Sequence, residues 1–394
     1  MGSTAVRSLD VARVRGLYLT VGAGTAYLDG PLSTLQPESV VRAIVATLRS
    51  SPTQPGGSSH RSRRSGASVC AAHSAFADLV GGAAEDVILG STLAALQAQF
   101  AELLAVDWRL GDEIVLSRLD PDSVVTPWVR AARRIGASVR WAEVDVETGE
   151  LPTWQYEQLI GRHTRLVTVA LGNPATGTVP DARAIADLAH AAGALVLVDA
   201  GAAATHTPLD LQALGADLIA VSAASFGGPT VAAIVARPGL LLELDEPIET
   251  GPLPVELLDG ATAAIDHLAT LEEGAEGTRR ERLAASVVAA GAHTAALWDH
   301  FIAAVDDMPH VFVFGGTVDR LPVFAFTVSG HSPTQVGEYL AGRGVSVWTG
   351  PAGMSQLMAA FGADELGGAV FAGFLPHTTR SEVDRLLAAL ADLS

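Results

Sequence analysis

The hydrophobic pattern changes its period along the chain. Residues 85–89 read as a strand and 92–106 as a helix, because the apolar positions of the second stretch recur at helical spacing. The alternation continues with strands at 113–116, 138–144, 165–171, 194–198, 217–221 and 230–236, and helices at 124–135 and 180–192. Pro180 and Asp181 mark a helix start, with proline in the first turn and a carboxylate near the positive end of the dipole. Residues 194–198, Ala-Leu-Val-Leu-Val, are apolar throughout, as a parallel strand covered on both faces requires. Repeated β-α units predict an α/β fold with a mostly parallel sheet between helices. Ligands of such sheets sit outside the carboxyl ends of the strands.

Beyond residue 249 or so the pattern differs. A helical region at 255–305 precedes strands at 311–314 and 323–328, a helix at 333–343, strands at 345–348 and near 369–374, and a last helix at 380–393. This predicts a smaller α+β C-terminal domain. The 394 residues suffice for two domains. The expected division is an N-terminal segment, 1–20, packing on the small domain; a large domain, 21–255; and an interdomain helix with the small domain, 256–394. Residues 50–66 read as a loop rich in Ser, Pro, Gly and Arg.

Composition narrows the function. A net charge of −18 disfavours nucleic acid and anionic membranes as partners, since both demand clustered cations. The one basic run, His60-Arg61-Ser62-Arg63-Arg64, reads either as a solvated loop or as a mouth that attracts small anions. No apolar run reaches the ~20 residues of a membrane span, and residues 1–15 carry no signal-peptide core. A single cysteine, Cys70, leaves no internal disulfide, so a cytoplasmic location is expected. No metal site is expected: His293 and His300 stand seven apart with no third ligand. All 25 basic residues counted as Lys or Arg are arginine; the chain contains no lysine.

Ordered segments carry a resemblance. They are Leu119-Asp120 with Pro127-Trp128, Gly177-Thr178-Val179-Pro180-Asp181, residues 194–199 ending in Asp199, and Pro208-Leu209-Asp210 with Leu214-Gly215-Ala216-Asp217. The stretch 221–230, Val-Ser-Ala-Ala-Ser-Phe-Gly-Gly-Pro-Thr, the pair Glu249-x-Gly251 and residues 382–386 complete the set. Together they resemble the class V aminotransferases, in particular the cysteine desulfurase-like branch. The resemblance implies the pyridoxal phosphate (PLP)-dependent transferase fold, fold type I, with a mostly parallel seven-stranded sheet in the large domain. It also implies a homodimer.

At the functional positions the chain departs from the family's pattern. The cofactor lysine aligns with Ser225 and the histidine before it with Ala224. The stacking histidine falls at Pro121, the asparagine near the cofactor oxygen at Pro174 and the glutamine at Ala202. The phosphate-binding threonine falls at Pro252, the substrate-binding arginine at Phe371 and the cysteine loop near residues 350–353. Covalent PLP is excluded by this reading, because a lysine amine is needed for the Schiff base; non-covalent PLP stays open.

The vestigial pocket is expected to comprise Ser91, Thr92, Pro121, Asp199, Ser222 and Ser225. Asp199 pairs with a ring nitrogen in the family; here it is either a retained ligand contact or an inherited strand-end carboxylate. Ser91 and Thr92 open a helix and serve as an anion site or an ordinary cap. No catalytic residue is assigned outright; Asp199 and His206 are the candidates if the pocket has been put to new use. Three functions follow: a pseudoenzyme that binds a protein partner or small molecule, a PLP-independent enzyme using the vacated pocket, or a non-covalent PLP binder.

Overall fold

The computed structural model describes residues 8–393 apart from 23, 31, 33, 245–250 and 317–319. Glu249 of the Glu249-x-Gly251 match, and residues 1–7 of the N-terminal segment, lie outside the described residues. In chain order the first half runs α1 (Val11–Arg15), β1 (Ala26–Tyr27), α2 (Glu38–Arg49), α3 (His60–Val80), β2 (Val87–Gly90), α4 (Leu93–Leu104), β3 (Glu113–Ser117), α5 (Asp122–Ile135), β4 (Ser138–Ala142), α6 (Trp154–Leu159), β5 (Thr164–Ala170) and α7 (Ala182–Ala191). There follow β6 (Leu195–Asp199), α8 (Leu211–Leu214), β7 (Leu218–Ser222), β8 (Ala232–Ala236), α9 (Leu240–Glu243), α10 (Val255–Leu268), α11 (Arg279–Val305), β9 (Val311–Val313), β10 (Val323–Val328), α12 (Pro333–Ala341), β11 (Val345–Ser346), β12 (Trp348–Gly350), α13 (Ser355–Ala360), β13 (Ala369–Gly373) and α14 (Arg380–Ala391).

The central sheet has seven strands in the order β2-β8-β7-β6-β5-β3-β4. All are parallel except β8, which runs against both neighbours. Alternate residues of one strand enter two different cores. Val196 and Val198 of β6 join the layer holding α3, α7 and α10, while Leu197 joins the layer of α4 and α5. Burial on both faces explains the unbroken apolar run of β6. A second sheet, β12-β13-β10-β9, is antiparallel and packs on α11, α12 and α14 around Phe301, Phe324 and Phe374. The N-terminal chain joins this half through β1, which pairs parallel with β11.

Several expectations change. Residues 60–66 are helical: Ser59 caps α3 by accepting from the Ser62 amide, and the Ser62 hydroxyl ties back to Gln54 and Gly57. The basic run is therefore the first turn of a helix, not a loop. Arginines near a helix N-terminus oppose the dipole, and the serine cap offsets that cost. The helical region 255–305 is two helices, divided by a glycine-containing turn and restarted by the capping box of Thr278 and Glu281. Residues 345–350 form two strands that serve different sheets, because β12 pairs with β13 and not with β1. Asp181, expected inside a helical first turn, is the N-cap of α7, bonding the Ala184 amide at 3.0 Å.

Helix α11 passes close to the loop after β6. A Cβ on Gly291 would lie 2.3 Å from the carbonyl oxygen of His206. Only glycine allows this approach without backbone movement. Gly291→Ala is expected to lower stability by ~1–3 kcal/mol through overpacking, read as a lower urea midpoint at unchanged slope.

Candidate functional site

The strand order places β3 and β5 side by side, yet the chain leaves them in opposite directions: from β3 to the edge strand β4, and from β5 inward to β6. Loops diverging at such a point leave a crevice outside the carboxyl ends. A cavity of about 270 Å³ occupies it. Pro121 follows β3, Gly172 and Pro174 follow β5, and Ser225 follows β7. The loop after β6 contributes Asp199, Gly201, Ala202, Thr205 and His206. The opposite wall is apolar and comes from Leu32, Val323, Ala352, Met354 and Leu375.

Asp199 ends β6, in register with Ala170 of β5 and Ala220 of β7. It is 9% exposed, and one carboxylate oxygen accepts from the Gly201 amide at 2.9 Å. Burial pushes its pKa up to about 6, against the pull of that amide. Asp120 lies deeper, accepting from the Ala170 amide at 3.2 Å and the Thr168 hydroxyl at 3.3 Å. Burial, reinforced by the charge of Asp199, pushes its pKa up to about 8, so it holds a proton at neutral pH. Beyond it the buried Tyr156 hydroxyl has no partner among the described residues, and desolvation together with the charge of Asp120 raises its pKa.

His206 is buried, with Nδ1 3.3 Å from the Thr294 hydroxyl. Desolvation lowers its pKa to about 4, so the ring is neutral. Ser225 sits in a short 3-10 turn, Ala223–Phe226, fastened by Thr34, whose hydroxyl donates to the Ala224 carbonyl and accepts from the Gly227 amide at 3.0 Å. Gly201 keeps open the space between two of these groups. A Cβ there would lie 3.2 Å from Asp199 Oδ1 and 3.4 Å from Ser225 Oγ.

Of the residues expected from sequence, Pro121, Asp199, His206 and Ser225 share this cavity. Ser91, Thr92 and Ser222 are not among its walls. Ser91 and Thr92 are exposed, and the Thr92 hydroxyl is committed as the α4 cap, accepting from the Ala95 amide at 3.2 Å. Ser222 is the last residue of β7. Phe371 does not reach the cavity: it is a fully buried member of β13, opposite Ala325 and Trp348. Asn173 is consumed by the fold, donating to the Leu119 carbonyl and accepting from the Ala175 and Thr176 amides. His293 bonds the Thr378 carbonyl and His300 the Asp384 carboxylate. Among the described residues no group of three possible ligands could hold a metal, and no helix is long and apolar enough to cross a membrane. Asp120 and Tyr156 escaped selection as site residues. The position of Asp120 just past a predicted strand end was the available signal; nothing local marks Tyr156.

The cavity was tested against the cofactor that the resemblance implies. Asp199 is placed at a strand end, as a ring-nitrogen partner would be. No arginine lines the cavity among the described residues, so a phosphate there would meet no cation. Ser225 stands where a covalent anchor would be required. The residues present do not fit covalently held PLP.

The family model described as Aminotransferase class-V matches residues 26–386. An uncharacterized protein of Mycobacterium tuberculosis (strain CDC 1551 / Oshkosh) is 40% identical over 396 residues, covering 98% of this chain and 99% of its own length. A cysteine desulfurase of Dickeya dadantii (strain 3937) is 30% identical over 292 residues, 71% of this chain and 69% of that protein. The crystal structure of the cysteine desulfurase CsdA from Escherichia coli superposes with a TM-score of 0.84 at 22% identity, covering 98% of this chain and 99% of that one. The last likeness is one of fold.

Protonated Asp120 makes a testable contribution. The folded state holds its proton up to about pH 8, whereas the unfolded chain releases it near the ordinary carboxylate value of 3.8. Folding stability from this group is present at low pH and lost as pH rises through that window. Asp120→Asn removes the loss. Its stability relative to the parent protein, from urea melts at a series of pH values, is expected to rise by a few kcal/mol between pH 5 and 8 and then level off.

Proposed function

The chain belongs to the class V aminotransferase family, in its cysteine desulfurase-like branch, and from that premise we propose that it is a degenerate member: Schiff-base chemistry is lost, and a binding or assembly role remains. The observation that carries this reading is the serine at position 225 in a chain without lysine. A hydroxyl cannot condense with an aldehyde to a C=N bond, and no other amine side chain exists to take its place. The substitutions around it support the same reading. Pro121, Pro174 and Ala202 line the cavity with groups that neither stack nor donate hydrogen bonds from their side chains.

A second reading, a PLP-independent enzyme in the vacated pocket, is favoured by one observation. The cavity retains Asp199 and His206, whose burial shifts their pKa values in opposite directions, to about 6 and about 4. Under either reading we propose a homodimer in the cytoplasm, with the chain divided near residues 20 and 255.

Titration of the purified protein with PLP, followed by absorbance and calorimetry, is expected to show neither a new band nor heat of binding. Heat without a band would favour a non-covalent cofactor site around Asp199. A band and heat together would overturn the proposal. Light scattering is expected to give twice the chain mass.

A further inference from the structure

We propose that the cavity at the carboxyl ends of β3, β5 and β6 is a binding site for a small organic monocation, an alkyl- or arylalkylammonium, held with its nitrogen on the open oxygen of Asp199. This deepens the preceding proposal and rests on it, since the ligand takes space that a cofactor would otherwise fill.

Three observations carry the inference. The first is polarity. Asp199 is the only acidic side chain among the described residues lining the cavity, and no arginine lines it. His206 is neutral, and protonated Asp120 behind the wall adds no positive charge. A carboxylate or phosphate on a ligand would be desolvated there without a cationic partner, which costs more than any other contact in the cavity returns. A cation meets the reverse situation.

The second is an unmet hydrogen-bonding capacity. Asp199 Oδ1 takes the Gly201 amide, while Oδ2 has no protein donor among the described residues. A carboxylate 9% exposed in an apolar surround is stabilised by any charged N–H group that can reach it. Gly201 has no side chain to crowd Asp199 and Ser225; a Cβ there would lie 3.2 Å from Asp199 Oδ1 and 3.4 Å from Ser225 Oγ.

The third is the rest of the wall. Leu32, Leu93, Val124, Val323, Met354 and Leu375 line the same cavity with hydrocarbon. They suit an apolar body attached to the ammonium, and with no arginine in the lining among the described residues a carboxylate on the ligand has no ionic partner, so a zwitterionic amino acid is disfavoured against the corresponding amine. The volume, about 270 Å³, has room for a ligand of the size of benzylamine.

Benzylamine, benzyl alcohol and benzoate are titrated into the intact protein by calorimetry, with PLP in a parallel run. Benzylamine is expected to bind, benzyl alcohol to bind at least tenfold more weakly, roughly the worth of one charge-assisted hydrogen bond, and benzoate to give no heat. Asp199→Asn, which keeps the shape, is expected to weaken benzylamine by about tenfold or more. Gly201→Val, which fills the space and keeps the charge, is expected to abolish binding, with thermal melting confirming that both variants fold. Equal affinity for amine and alcohol, benzylamine binding undiminished in folded Asp199→Asn, or no binding at millimolar benzylamine would each overturn the inference. PLP silence combined with benzylamine silence sinks this inference alone; a PLP band with heat sinks the preceding proposal as well.

Discussion

The cost of burying two carboxyl groups at the carboxyl edge of one parallel sheet governs the arrangement around the cavity. Asp120 and Asp199 stand at the ends of β3 and β6 with β5 between them, and both are buried. They cannot both ionise cheaply in so small a volume of low dielectric. The structure separates them by burying Asp120 so deeply beside the charge of Asp199 that the donors from Ala170 and Thr168 do not keep it ionised, while Asp199 stays open to the cavity. One carboxyl keeps its proton and the other is left to find a partner from outside.

That division depends on the fold at longer range. The β6 strand holds Asp199 because its Val and Leu residues anchor alternately in two cores. The loop that follows is pressed from outside by α11 at Gly291, which fixes His206 over the cavity. Thr34, far away in sequence, clamps the turn bearing Ser225. The loop around Ala352 and Met354 closes the opposite side. Each support belongs to the scaffold. The fold alone does not decide the chemistry, since function is carried by the site.

The architecture was legible from hydrophobic periodicity because the parallel strands are buried on both faces, which leaves apolar runs, and because short loops separate them. The strands 323–328 and the helices α4, α5, α7 and α14 follow the sequence pattern to within a few residues. Elements with competing signals did not. The first turn of α3 carries arginines where its helix dipole disfavours them, and the break between α10 and α11 depends on a capping box inside a long helical pattern. The division of residues 345–350 between two sheets depends on which strands lie beside them, which no local pattern records.

The family resemblance and the absence of any lysine could be read from the chain alone, because these are matters of composition and order. The sequence also brought Asp199, His206, Pro121 and Ser225 forward as candidates. Only the tertiary structure decided which of them share a cavity, that Thr92 is spent on a helix cap, that Phe371 lies in a core and that Asp120 is a protonated neighbour of Asp199. Those properties arise from desolvation and from contacts between segments dozens to hundreds of residues apart, and such energies exist only once the chain has folded.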